Sequence, residues 1–152
     1  MLAEKSLLAF EDPVATFIPE FATRGKDAIT LRHCLTLTAG FRVLDTAYPH
    51  DSWNETLAKI CNAPLEREWL ENGVGSRAAY HTHSSWYILG EVINRLTHQP
   101  HYQWIRDNIF LPLGMPDCFM AMSPDQQRAY AGRLGILMDT AATPNRPFGA
   151  LD

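Results

Sequence analysis

Residues 75–97 read G-S-R-A-A-Y-H-T-H-S-S-W-Y-I-L-G-E-V-I-N-R-L-T, and residues 109–115 read I-F-L-P-L-G-M. The first stretch predicts a Gly-led loop that delivers one tyrosine, Tyr80, to the start of a helix. Trp86, Leu89, Ile93 and Leu96 recur at spacings of three, four and three, the period of one helix face, so a helix is expected over Ser84–Thr97. Ser84 and Ser85 stand where they can cap it, and Pro100 limits it. Pro112, Gly114 and Pro116 then enforce a turn.

Outward from that stretch the pattern stays helical. Met1–Phe10 reads as the tail of a helix, and Asp12-Pro13 as a new start, with Asp12 capping and Val14, Phe17 and Ile18 as a short apolar face. Thr30 caps a helix predicted over Leu31–Thr38, with Leu31 and Leu35 one turn apart and Gly40 as the stop. Ser52-Trp-Asn-Glu55 is a capping box for a helix to about Cys61. Pro64 opens another to Leu70, ended by Asn72-Gly73. His101–Phe110 and Pro124–Tyr130 complete the set, the former with Tyr102, Ile105 and Ile109 inward. Phe41–Leu44 and Gly132–Met138 are the best strand candidates, and both are weak. Residues 1–138 are expected to form one mainly α domain, and 139–152 an irregular C-terminal tail.

Composition narrows the partners. The 152 residues carry a net charge of −4, with 46% hydrophobic and 20% charged residues, ordinary for a globular protein. No run of Lys or Arg offers a nucleic-acid surface. No apolar stretch approaches a membrane span, and no basic segment leads into a long apolar one at the N-terminus, so a cytoplasmic location is the default. Cys34, Cys61 and Cys118 are odd in number and widely spaced, which predicts buried thiols rather than a zinc knuckle.

Tyr80 is the residue with chemical promise. A helix N-terminus nearby favours a phenolate. A tyrosine with an ordinary pKa of about 10 still needs a close cation to work as a base. The lysines are three, Lys5, Lys26 and Lys59. Two fall in Thr-x-x-Lys spacings, Thr23–Lys26 and Thr56–Lys59, both read as coincidence. His81 and His83 have metal-like spacing, with His101, Asp51 or Cys118 as a third ligand, but solvent-facing histidines are the expected reading. No cofactor or metal is expected. Trp53, Trp69, Trp86 and Trp104 read as packing residues.

Several blocks together resemble the β-lactamase-related serine hydrolases: class C β-lactamases, D-alanyl-D-alanine peptidases and esterases of that fold. Leu8–Phe21 (L-A-F-E-D-P-V-A-T-F-I-P-E-F) is similar to the segment after the family's nucleophile helix, and Ile29–Gly40 (I-T-L-R-H-C-L-T-L-T-A-G) to its I-T-[IL]-R-H-L-L-T-H-T-[SA]-G block. Gly75–Leu96 looks like its tyrosine loop and helix, and Pro112–Met115 matches its P-L-G-M. The resemblance implies the helical region of the α/β serine β-lactamase/transpeptidase-like fold, with most of the sheet missing. It implies a serine acyl-enzyme mechanism on small ester, amide or lactam substrates, with Tyr80 as general base and Thr82, the third residue of the family's Tyr-x-Asn motif, at the substrate. Leu37 stands where the family commonly has His, and His98 where a helix-ending Gly is usual. No Ser-x-x-Lys, Lys-Thr-Gly or His-x-Gly occurs in the chain. The expectation is therefore an incomplete chain, inactive by itself. The alternatives are a non-catalytic helical remnant that self-associates through exposed apolar surface, and a metal hydrolase built on His81 and His83.

Overall fold

The computed structural model describes residues 1–42, 51–80 and 83–135, and the backbone of 138–139 and 146–147. Contacts cluster in two compact units, Met1–Ile105 and Arg106–Asp152. The helices are short. They are α1 (Leu31–Leu35), α2 (Trp53–Asn62), α3 (Arg67–Asn72), α4 (Ser84–Thr97) and α5 (His101–Ile105) in the first unit, and α6 (Pro124–Ala129) in the second. Two 3₁₀ turns, Val14–Thr16 and Pro19–Phe21, precede α1. The described strands are β1 (Met138–Asp139) and β2 (Arg146–Pro147), an antiparallel pair of two residues each. The protein is the helical region of the serine β-lactamase/transpeptidase-like fold expected above.

Local chemistry explains most helix starts. Ser52 and Glu55 close a reciprocal capping box on α2, and Ser123 and Gln126 close one on α6. The first N–H groups of α1 are all served: Leu31 N–H donates to Asp12 O at 3.1 Å, Arg32 N–H to Phe10 O at 2.8 Å, and His33 N–H to Thr30 Oγ1 at 3.3 Å. That use of residues 10–12 as an extended partner explains why no helix starts at Asp12. Its carboxylate instead accepts from Ala9 N–H at 2.7 Å. Met1–Phe10 forms turns, not the end of a helix, and Pro19 begins a 3₁₀ turn where a stop was expected.

The core of the first unit is built around α4. Val14, Ile18, Phe21, Ile29, Phe41, Ile60 and Ile88 are wholly buried. α4 packs on α1, α2 and α5. Its buried face is Ser84, Ser85, Ile88 and Val92, whereas Trp86 is 55% exposed, so the inward stripe is rotated from the expected one. Small residues are selected there by close approach. Ser84 Oγ donates to Phe41 O at 3.1 Å, and a Cβ on Gly90 would lie 2.9 Å from the Trp53 ring. Two other faces differ from the expected ones. α1 buries Leu31 and Cys34 while Leu35 is exposed, and α5 buries Trp104 while Tyr102 is exposed.

Gly40 is fixed by packing as well as conformation. Its φ is +73°, and a Cβ would overlap Trp69 at 2.1 Å. Trp69 is anchored in turn, its Nε1–H donating to Thr38 O at 3.0 Å. α4 ends at His98, whose left-handed φ of 54° fills the role usual for Gly. Of the strand candidates, Val43–Leu44 and residues 136–137 lie outside the described residues, as does the His81–His83 pair's first member. No described helix is long and apolar enough to cross a membrane.

Candidate active site

The Tyr80 loop is pinned to the turn that follows α1. Gly75 N–H donates to Thr38 O at 3.1 Å, and Ala79 N–H to Leu37 O at 3.0 Å. Leu37 holds a left-handed φ of 57°, which a β-carbon resists, so the neighbouring contacts over-determine that turn. Two of the resembling blocks, Ile29–Gly40 and Gly75–Leu96, are therefore joined through their backbones. Gly75 itself has φ +87°, and a Cβ there would meet His33 Nε2 at 3.1 Å.

The loop ends in an outward phenol. Tyr80 is 75% exposed. Thr82 lies outside the described residues, so its side chain has no described geometry. α4 begins just beyond, with His83 at its N-cap and no side chain capping it, so the serines do not do so. Ser85 is wholly buried and its hydroxyl has no hydrogen-bond partner.

Neither Thr-x-x-Lys pair is a nucleophile arrangement. Thr23 Oγ1 donates to Cys61 O at 2.8 Å. Lys26 Nζ donates to Thr23 O at 3.0 Å, to Cys61 O at 3.1 Å and to Ala63 O. The ammonium is wholly buried, and burial pushes its pKa below the ordinary lysine range. It sits where the last carbonyls of α2 converge, the negative end of that helix. Thr23 and Lys26 thus close a helix end rather than activate a hydroxyl. Thr56 is buried inside α2, and Lys59 pairs with Asp51 at 2.7 Å.

A second polar knot crosses the first unit. Arg95 binds Glu91 at 2.8 Å, Glu20, and Phe17 O at 3.1 Å. Glu91 also accepts from Trp53 Nε1–H at 2.8 Å, and these donors hold its carboxyl below the usual carboxylate range against the opposing effect of burial. Sequence reasoning missed Lys26 and this knot because their partners are distant backbone and side chains. The Thr30–His33 cap carried a local signal, the S/T-x-x spacing with an acceptor in third place. The thiols are as expected for Cys34 and Cys61, which are buried, their pKa values pushed up by burial to about 12 and about 11. Cys118 is half-buried. No cluster of metal-ligating groups occurs among the described residues.

Known proteins share this arrangement. The β-lactamase family model matches residues 1–150. PbpX of Bacillus subtilis (strain 168), named for penicillin binding, is 29% identical over 117 residues, which are 75% of this chain and 27% of PbpX. A penicillin-binding protein homologue from Caulobacter crescentus superposes with a TM-score of 0.65 at 29% identity, covering 84% of this chain and 33% of that one. A family VIII carboxylesterase superposes with a TM-score of 0.69 at 24% identity, covering 84% of this chain and 35% of that one. The chain thus spans about a quarter to a third of the length of these relatives. With the family model running over nearly its whole length and the tyrosine loop built onto the turn after α1, the chain belongs to the β-lactamase family of hydrolases.

Proposed function

We propose that this chain contributes the tyrosine side of a serine acyl-transfer site of the esterase or peptidase type. Tyr80 is the general base, Thr82 contacts the substrate, and the acceptor is the carbonyl of a small ester, amide or lactam. The observation that carries this reading is an exposed phenol on a loop held by Leu37 and Thr38, with every described lysine away from that role. A base tyrosine needs a cation beside it and a serine to deprotonate. Lys26 and Lys59 are committed elsewhere, and no Ser-x-x-Lys is present in the 152 residues. The chain by itself is therefore proposed to be inactive.

Covalent labelling tests this directly. The purified chain should take up no fluorophosphonate or labelled penicillin. Stoichiometric acylation would sink the reading. The role of Tyr80 is tested in a chimera in which this chain replaces the matching third of the Caulobacter crescentus homologue. Tyr80→Phe should slow acylation of that chimera by about 10²–10⁴-fold, the usual contribution of a general base. An unchanged rate would remove Tyr80 from the chemistry.

A second reading is non-catalytic association. It is favoured by large apolar side chains left in solvent on the first unit: Leu70 is 61% exposed and Trp86 55%. Light scattering after size exclusion separates the two, since a clean monomer without binding of an apolar dye rejects association.

A further inference from the structure

Thr30 and His33 hold each other at the start of α1. Thr30 N–H donates to His33 Nδ1 at 3.1 Å, and Thr30 Oγ1 lies 3.1 Å from the same nitrogen. A backbone N–H can only donate, so Nδ1 carries no proton, and the proton of the neutral ring sits on Nε2. The Nε2 edge lies against the root of the Tyr80 loop, 3.1 Å from where a Cβ on Gly75 would stand. His33 O accepts Thr38 N–H at 2.9 Å, and Thr38 O accepts Gly75 N–H. One residue thus touches both the cap of α1 and the base of the tyrosine loop.

We propose that His33 is a pH-sensitive latch on the Tyr80 loop, closed while its ring is neutral and released when Nδ1 takes up a proton. The incoming proton occupies the lone pair that accepts Thr30 N–H. Two N–H groups then face each other across about 3 Å, a donor–donor contact that this spacing does not tolerate. The ring turns out, the cap of α1 opens, and Gly75 loses the edge it packs on.

The surrounding charges set the direction. Burial disfavours the charged ring, Glu11 on the preceding segment favours it, and Arg32 beside it disfavours it. Arg32 and Glu11 are themselves paired, so their opposing fields largely cancel. On the loop side Arg77 is held by Glu68. His33 accordingly titrates below the ordinary imidazole value of 6.5. The open state binds the proton more readily than the closed one, so the closed state loses stability as pH falls through that range. The consequence for catalysis rests on Tyr80 acting as base, but the latch does not.

Nitrogen NMR of the imidazoles and amide hydrogen exchange on the full chain test it. His33 should be the Nε2–H tautomer at neutral pH. Exchange at Gly75 and Ala79, corrected for its intrinsic pH dependence, should rise about tenfold per pH unit below the His33 midpoint. His33→Gln keeps an acceptor for Thr30 N–H and does not titrate, so it should keep the cap and abolish that rise. An Nδ1–H tautomer, exchange that ignores the His33 midpoint, or an unchanged pH response in His33→Gln would each overturn the proposal. None of these readouts depends on turnover, so failure of the latch is distinguishable from failure of the Tyr80 assignment.

Discussion

Ser85 holds a wholly buried hydroxyl without a partner, a group that gives up its water on folding and gains nothing back. Ser85→Ala removes that cost and raises helix propensity, so it should stabilise the chain by about 1 kcal/mol in urea unfolding. A loss of stability would mean that the hydroxyl is bonded in solution. Cys34 gives the opposite sign with pH. Its folded thiol titrates near 12 against an ordinary 9.0. Between those values the unfolded chain has lost the thiol proton and the folded chain keeps it, so stability falls as pH rises above about 9. Cys34→Ala should flatten that alkaline decline, whatever it costs at neutral pH. At neutral pH an aromatic disulfide reagent should modify Cys118 readily and reach the two buried thiols only after unfolding.

At the scale of elements, the end of α2 depends on a cation from a distant loop. Lys26→Met leaves the carbonyls of Cys61 and Ala63 without their donor while keeping most of the apolar stem. The variant should lose about 2–3 kcal/mol, read as a lower urea midpoint at unchanged slope. That interaction was not legible in the sequence, because Thr23 and Lys26 meet α2 across more than thirty residues. The caps were legible: Ser52 with Glu55 and Thr30 with α1 are contacts three residues apart, and the structure places them where the spacing does. The bounds of α4 were legible too, yet its inward face was not. Trp86 counts as apolar in any period, but Phe41 and Trp53 approach α4 so closely that only Ser84, Ser85 and Gly90 fit beneath them. Hydrophobic period finds a helix, and the size of what packs on it decides which side is inward. The site followed the same division: the Tyr80 loop could be read, whereas the turn at Leu37–Thr38 that holds it could not.

At the scale of the molecule, the described residues form two compact units, and the tyrosine loop, α1 and the Lys26 closure all belong to the first. Membership of the β-lactamase family and a chain spanning about a third of its structural relatives describe the same fact from two sides. A protein proposed to turn over nothing by itself needs another measure of being native, and the buried lysine supplies one. Amine-reactive reagents and reductive methylation act on ammonium groups that water can reach. Lys5 is exposed, Lys59 is 40% exposed, and Lys26 is sealed. Mass spectrometry after a short methylation pulse should therefore find Lys26 unmodified in the folded chain and modified after denaturation. Loss of that contrast in a variant would report the opening of this helix end long before any assay of activity could. The same inaccessibility makes amine coupling through Lys5 or Lys59 a safe way to fix the chain to a surface.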